Sequence, residues 1–255
     1  MIIGTHIPSG RILDAGCGTG KLLAYLAMNG FDCAGCDFSA NMLKKARQNL
    51  GSVSAREIPL IQTALDNLSM FADRSFDHVF CLGVFPYISE DKESRCYREL
   101  RRVIRPGGYF ITAHTNEIFD AFTFNKYTIR FFERNLWPLL QDVDAGLNLE
   151  GAKTQLSSLI VNPDKPVNTE ANRSARDLVF MKPENPLLYP EKIASFGFAN
   201  REIRYYHFHA LPPLLRDGNQ ELLNASKKME IRFSSNWQGM FMASTFLSIA
   251  QAVDA

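Results

Sequence analysis

The stretch Arg11–Leu23, RILDAGCGTGKLL, places three glycines on alternate positions directly after a short apolar run that contains an acidic residue near its end. This order predicts a strand, a tight turn and a helix. Glycine adopts the positive φ that tight turns need, and it lets main chain approach a ligand where a Cβ atom would collide. We therefore expect a ligand to lie over Gly16, Gly18 and Gly20.

The residues after this turn alternate between strand and helix patterns up to about residue 112. Such alternation predicts an α/β fold with a Rossmann-like, doubly wound and mostly parallel sheet, whose ligands lie beyond the carboxyl ends of the strands. From 116 to 187 the rhythm breaks, because an aromatic-rich helical pattern is followed by a polar stretch. We expect residues 1–115 and 188–255 to form the Rossmann-like domain and 116–187 to form an inserted helical and loop lid that binds substrate.

The composition is that of an ordinary globular protein, with 255 residues, 46% hydrophobic and 22% charged residues, and a formal net charge of +1. A nearly neutral chain has no global field to attract nucleic acid or an anionic membrane, so we expect neither as a partner. The sequence starts without a signal-peptide pattern and has no long apolar run, which predicts a cytoplasmic protein.

Two sequence features suggest chemistry but have simpler explanations. Cys33 and Cys36 have the spacing of a redox or zinc motif, yet they lie inside a strand pattern with no second pair, so we expect buried thiols and no metal. Five arginines between residues 95 and 105 share their helix pattern with Glu93 and Glu99, which favours a solvated helix face over a phosphate-binding track.

The spacing of the glycines distinguishes between two kinds of cofactor. Dinucleotide-binding turns have the pattern Gly-x-Gly-x-x-Gly, whereas Gly16, Gly18 and Gly20 alternate strictly, which disfavours NAD. Asp37 ends the second predicted strand, where a carboxylate can accept hydrogen bonds from both hydroxyls of a ribose. Any adenosine cofactor could use that interaction, so Asp37 alone does not choose between them.

Five motifs resemble the class I S-adenosylmethionine-dependent methyltransferases in their order and spacing: LDAGCGTG, GCDFSANML, FADRSFDHVF, LGVFPYI and RRVIRPGGYF. The resemblance covers roughly the first 112 residues and implies S-adenosylmethionine as the cofactor. It also implies a cofactor site made of Asp14, Gly16, Cys17, Gly18, Gly20, Asp37, Phe38, Met42, Leu65, Asp66, Cys81 and Leu82.

The same resemblance implies a role for each part of that site. Gly16 to Gly20 would lie under the methionine and ribose portions, and Asp37 would hold the ribose hydroxyls. Asp14 would orient the methionine amino group, and Phe38 and Met42 would flank the adenine. Leu65 and Asp66 would meet the adenine edge, and Cys81 and Leu82 would face the methionine end. The stretch around Asp66, ALDNLSMF, departs from the family pattern.

The methyl acceptor is predicted from the residues beyond the fifth strand. We expect O-methylation of a small-molecule or glycan-like metabolite, with His114 as general base and His209 as the next candidate, because an imidazole accepts a proton near neutral pH. Candidate acceptor-binding residues are Tyr87, Asn116, Phe119, Asn125 and Tyr127. N-methylation of a small molecule, and a non-catalytic cofactor-binding subunit, are alternatives that the sequence leaves open.

Overall fold

The structure is a computed structural model, and it describes residues 7, 9–53, 57–143, 149–160, 181–212 and 220–254. The polar stretch 161–174 of the predicted lid lies outside these residues. None of the helices in the described part of the chain combines the length and the apolar character that a bilayer span requires.

Seven strands form one sheet in the order β3-β2-β1-β4-β5-β7-β6. The strands are β1 (Arg11–Ala15), β2 (Asp32–Asp37), β3 (Leu60–Gln62), β4 (Phe76–Leu82), β5 (Ile104–Thr115), β6 (Phe198–Phe208) and β7 (Ala243–Ala252). β1 to β5 pair in parallel, whereas hydrogen bonds from Val253 to Gly197 and from His209 to Met242 indicate that β6 and β7 run antiparallel. The predicted mostly parallel, doubly wound sheet is confirmed, and its strand order reverses between β1 and β4.

Helices follow most strands of this sheet. They are α1 (Lys21–Met28), α2 (Ala40–Gly51), a 3-10 helix (Phe85–Tyr87), α3 (Glu90–Val103), α4 (Glu117–Asp120), α5 (Lys126–Asn135), α6 (Trp137–Val143), α7 (Leu149–Ile160), α8 (Tyr189–Ala194), α9 (Gln220–Phe233) and α10 (Gly239–Met242). Ser39 caps the N-terminus of α2, since its hydroxyl accepts a hydrogen bond from the Met42 N–H. Leu23 and Leu26 of α1 and Leu43 of α2 are buried in the core beside the sheet.

β5 begins earlier than its sequence suggests. The residues RPGG are of the kind that favours a turn, but β5 starts at Ile104 and includes them, and its register against β4 shifts between Phe76 and His78. The shift places the two backbones very close together, because a Cβ atom on Gly108 would lie 2.1 Å from the Asp77 carbonyl oxygen. Glycine is therefore required inside this strand.

The chain divides into two compact units. The first consists of residues 1–114, 187–203 and 247–255, and the second of 115–186 and 204–246. Residues 204–246, which we expected in the Rossmann-like domain, are thus grouped with the segment that follows β5. Contacts inside the second unit account for this grouping: the Asn116 amide donates to the carbonyl oxygens of Met240 and Ala243, and the Phe122 ring meets the Phe241 ring at 4.8 Å.

Candidate functional site

The glycine turn between β1 and α1 is present as predicted. Gly16, Gly18 and Gly20 have φ angles of +82°, +51° and +75°, a region that residues with a Cβ atom rarely adopt. The N–H groups of Gly16 and Cys17 both donate to the Cys36 carbonyl oxygen, at 2.8 and 2.9 Å. These bonds hold the turn against the carboxyl end of β2.

The three glycines differ in the space around them. A Cβ atom on Gly16 would lie 2.3 Å from Cγ2 of Val84, and one on Gly20 would lie 3.2 Å from Cβ of Ala46, whereas one on Gly18 would meet nothing within 4 Å. Packing thus requires glycine at position 16 and leaves little room for a Cβ atom at Gly20. Gly18 instead faces open space, which is where a ligand can approach the main chain. Sequence reasoning missed Val84, although it lies inside the quoted LGVFPYI motif.

Asp37 connects this turn to the start of α2. Its Oδ2 accepts a hydrogen bond from the Gly18 N–H at 2.9 Å, and its Oδ1 accepts one from the Ser39 N–H at 2.9 Å. A carboxylate has about four acceptor positions. Two therefore remain for a ligand beside the open space at Gly18.

Asp14 is a buried carboxyl group at the end of β1. Burial, and next the negative charge of Asp37, raise the pKa of Asp14 to about 7. The ionised form is costly here because it has left water and lies near a second carboxylate. A cationic ligand group at this place would favour the ionised form.

The remaining residues of the predicted cofactor site divide by exposure. Phe38 is 77% and Met42 41% exposed, and Leu82 is also exposed at the end of β4. Large apolar side chains of this kind at the carboxyl edge of the sheet provide surface for a flat apolar group.

The thiols of the predicted site are buried instead. Burial raises the pKa of Cys17 to about 12 and that of Cys81 well above its usual value, so both stay protonated at neutral pH and can serve packing but not nucleophilic attack. Leu65 is buried too, and Asp66 lies 4.0 Å from the Lys92 ammonium group. All five cysteines, including Cys33 and Cys36, are buried free thiols, and the described residues contain no group of three or more His, Cys, Asp or Glu side chains arranged to hold a metal ion.

Comparison with known proteins identifies this part of the chain. The family described as "Methyltransferase domain" matches residues 13–112. Residues 13–112 form a methyltransferase domain. The match agrees with the resemblance of the five motifs to methyltransferases.

Relatives of the methyltransferase domain occur in proteins of different length. A putative methyltransferase, YqeM, of Bacillus subtilis is 32% identical over 122 residues, which are 45% of this chain and 48% of the relative. A probable tRNA methyltransferase 9B of Bos taurus is 35% identical over 104 residues, 40% of this chain and 20% of the relative. The chain thus spans between a fifth and a half of the length of these curated relatives.

Solved structures resemble the chain over nearly its whole length. A methyltransferase of the S-adenosylmethionine-dependent type from Methanosarcina mazei has a TM-score of 0.58 and 17% identity, and the match covers 98% of this chain and 95% of that one. At this identity the likeness establishes the fold.

The candidate acceptor-binding residues lie in both units. Tyr87 is exposed on the 3-10 helix of the methyltransferase domain, while the other four lie in the second unit. Asn116 is fully buried, and its Oδ1 also accepts the Ile118 N–H. The Asn125 Oδ1 caps α5 by accepting the Tyr127 N–H at 2.9 Å.

The two aromatic candidates of the second unit, Phe119 and Tyr127, are buried. Phe119 packs on the His209 ring with 4.8 Å between ring centroids. The cationic groups of Lys126 and Arg130 lie over the Tyr127 ring. These contacts give all four second-unit candidates a role within that unit.

His114 and the exposed His207, close to the second candidate His209, have different surroundings. His114 is 2% exposed, and its ring packs against Tyr189 at 4.3 Å and Phe85 at 5.7 Å. His207 is exposed with a φ of +57°, and β6 ends at Phe208. The positive φ of His207 interrupts the alternation of the strand two residues before His209.

Proposed function

We propose that the chain binds S-adenosylmethionine at the glycine turn and transfers its methyl group to a small-molecule acceptor. One observation carries the proposal: open space at Gly18 adjoins the Asp37 carboxylate, which retains free acceptor positions. The free thiols fit a reducing compartment, and we assign the protein to the cytoplasm.

The residues at this site fit the cofactor. Asp37 would accept the ribose hydroxyls, and Asp14 would pair with the cationic amino group, which offsets the cost of ionising a buried carboxyl. Phe38 and Met42 offer exposed apolar surface to the adenine. Gly16 and Gly20 keep the turn narrow enough for main chain to face the methionine portion.

When bound, S-adenosylmethionine supplies a methyl group already activated by a sulfonium. The chain then has to align the acceptor with that group and exclude water. A hydroxyl acceptor also has to lose its proton, and His114, the residue before the end of β5, is our candidate to receive it. Because His114 is buried, its ring has to become accessible to the acceptor; His209 is the second candidate.

We favour O-methylation of a small molecule or glycan-like metabolite, with N-methylation as the alternative because an amine needs less help from a base. RNA is a further candidate acceptor, since one relative is called a probable tRNA methyltransferase. A net charge of +1 argues against it, because non-specific binding to nucleic acid depends on cationic residues that neutralise phosphates. Binding to RNA that weakens with salt would overturn this choice.

Titration calorimetry with S-adenosylhomocysteine and with NAD tests the cofactor assignment. The wild-type chain should bind S-adenosylhomocysteine and not NAD. Asp37→Ala should weaken binding by about 1.5–3 kcal/mol, because it removes charge-assisted hydrogen bonds. Asp32→Ala, at the opposite end of β2 where the side chain is half exposed, is the matched control and should bind as the wild type does. Tight NAD binding without a response to S-adenosylhomocysteine would overturn the proposal.

Turnover to S-adenosylhomocysteine over a panel of hydroxyl and amine acceptors tests the enzymatic part. His114→Ala should lower turnover of a hydroxyl acceptor by ~10²–10⁴ if the imidazole accepts the proton, while cofactor binding reports whether the variant is folded. If His114→Ala lowers turnover by no more than about threefold, which is far below the range typical for an acid–base group, His114 is not the base. His209→Ala is then the next variant. Cofactor binding without turnover above background would favour the non-catalytic subunit.

A further inference from the structure

Arg102, near the end of α3, uses all five N–H donors of its guanidinium group. Nε donates to Glu99 Oε1 at 2.9 Å, and Nη2 donates to Glu99 Oε2 at 2.9 Å and to the Leu68 carbonyl at 2.8 Å. Nη1 donates to the Phe71 carbonyl at 2.9 Å and to Asp73 Oδ1 at 2.6 Å. Three of these five bonds reach residues 68–73, which belong to the loop 63–75 that joins β3 to β4.

Glu99 completes the attachment of this segment. Its Oε2 also accepts the Leu68 N–H at 2.7 Å, so one ion pair holds both main-chain groups of Leu68. The pKa of Glu99 lies below its usual value, mainly because Arg102 donates hydrogen bonds to the carboxylate. The carboxylate thus stays ionised, and the attachment persists, throughout the neutral pH range.

The start of the same loop is attached to the cofactor side of the sheet. The Thr63 N–H donates to the Asp37 carbonyl at 3.1 Å, and the Thr63 hydroxyl donates to the Asn67 carbonyl at 2.6 Å. Leu65 and Asp66 lie between these two attachments. Their position therefore depends on Asp37 at one side and on Arg102 at the other.

We propose that Arg102 is a positioning residue of the cofactor site, which fixes the loop so that Leu65 and Asp66 meet the adenine edge. The inference rests on the proposed binding of S-adenosylmethionine. Under this inference Arg102 affects ligand selectivity as well as stability. A shift of the loop by a fraction of an ångström weakens discrimination between bases while the chain stays folded.

Arg101 provides a matched control on the same helix. It donates to the carbonyl oxygens of Gly197 at 3.2 Å and Ile104 at 3.4 Å, and to that of Val253. Its acceptors are main-chain oxygens, like two of the acceptors of Arg102, but none belongs to the loop. Arg101→Lys and Arg102→Lys therefore make the same chemical change, and only one of them frees the loop.

The experiment compares binding of S-adenosylhomocysteine and S-inosylhomocysteine, whose base carries an oxygen in place of the adenine amino group. The wild type should prefer the adenine compound. Arg102→Lys should weaken S-adenosylhomocysteine binding by roughly tenfold, the size of one charge-assisted hydrogen bond, and should bring the ratio of the two affinities towards one. Arg101→Lys should lower the melting temperature but keep the wild-type ratio.

Asp73→Ala covers the case in which Arg102→Lys does not fold. The Asp73 side chain is 73% exposed, so its removal releases one attachment without opening the core, and it should lower the ratio in the same direction by a smaller factor. A wild type that ignores S-adenosylhomocysteine would refute the proposed function. A wild type that binds it, with a ratio unchanged in Arg102→Lys and in Asp73→Ala, would overturn the positioning role alone.

Discussion

Asp37 in the first unit and Asn116 in the second are both buried polar side chains at the end of a strand, but they use their hydrogen-bonding groups differently. Asp37 accepts two main-chain N–H groups and keeps acceptor positions beside the open space at Gly18. Asn116 donates both amide hydrogens to main-chain carbonyls and accepts the Ile118 N–H. From this difference we infer that Asp37, with spare hydrogen-bonding capacity beside open space, binds a ligand, whereas Asn116 is structural.

The largest effect that would sharpen this comparison is expected from Asn116→Ala. The change removes the N-cap of α4 and leaves the carbonyl oxygens of Met240 and Ala243 without their donor, so unfolding free energy should fall by about 3 kcal/mol. Asn125→Ala, which removes mainly the cap of α5, should cost about 1 kcal/mol. Denaturant titration measures both. A nearly unchanged stability together with a raised KM for the acceptor would instead make Asn116 a substrate-binding residue.

A slightly smaller effect is expected from Gly18→Ala, measured on the affinity for S-adenosylhomocysteine. The added methyl group would enter the open space that the cofactor should fill, and binding should weaken roughly 100-fold, about 2.7 kcal/mol.

Gly30→Ala is the control for Gly18→Ala, because Gly30 also has a positive φ, +80°, and a Cβ atom added there would meet nothing within 4 Å. Both variants should lose about 1 kcal/mol of stability from backbone strain, and only Gly18→Ala should lose affinity. Equal affinities in the two variants would contradict the placement of the ligand at Gly18.

The smallest effect concerns pH and Asp14. With a pKa of about 7, Asp14 becomes protonated as the pH falls below 7, so affinity for the amino group of S-adenosylhomocysteine should drop by up to ~tenfold per pH unit. Asp14→Asn should bind more weakly at pH 8 and lose this dependence. Calorimetry between pH 5.5 and 8, with Asp32→Asn as control, measures it; a slope that persists in Asp14→Asn would assign the titration to another group.

The same group should affect stability without ligand. Because folding raises the pKa of Asp14 above its usual value of 3.8, the stability that this group contributes is complete below about pH 4 and is lost as the pH rises through 7. Asp14→Asn should therefore be more stable than the wild type at pH 8 when no cofactor is bound. Thermal unfolding at pH 5 and pH 8 measures this difference.

The sequence by itself determined the sheet with its helices up to β5, the glycine turn and the place of Asp37. These features depend on local signals: the periodicity of apolar residues, and the positive φ that alternate glycines allow at Gly16, Gly18 and Gly20. Only the tertiary structure decided that 204–246 belongs to the second unit, that His114 packs between Tyr189 and Phe85, and that Arg102 holds the loop after Leu65. Arg102 reaches that loop largely through main-chain carbonyls, which every residue carries, so no spacing of side chains could have identified them before the chain folded.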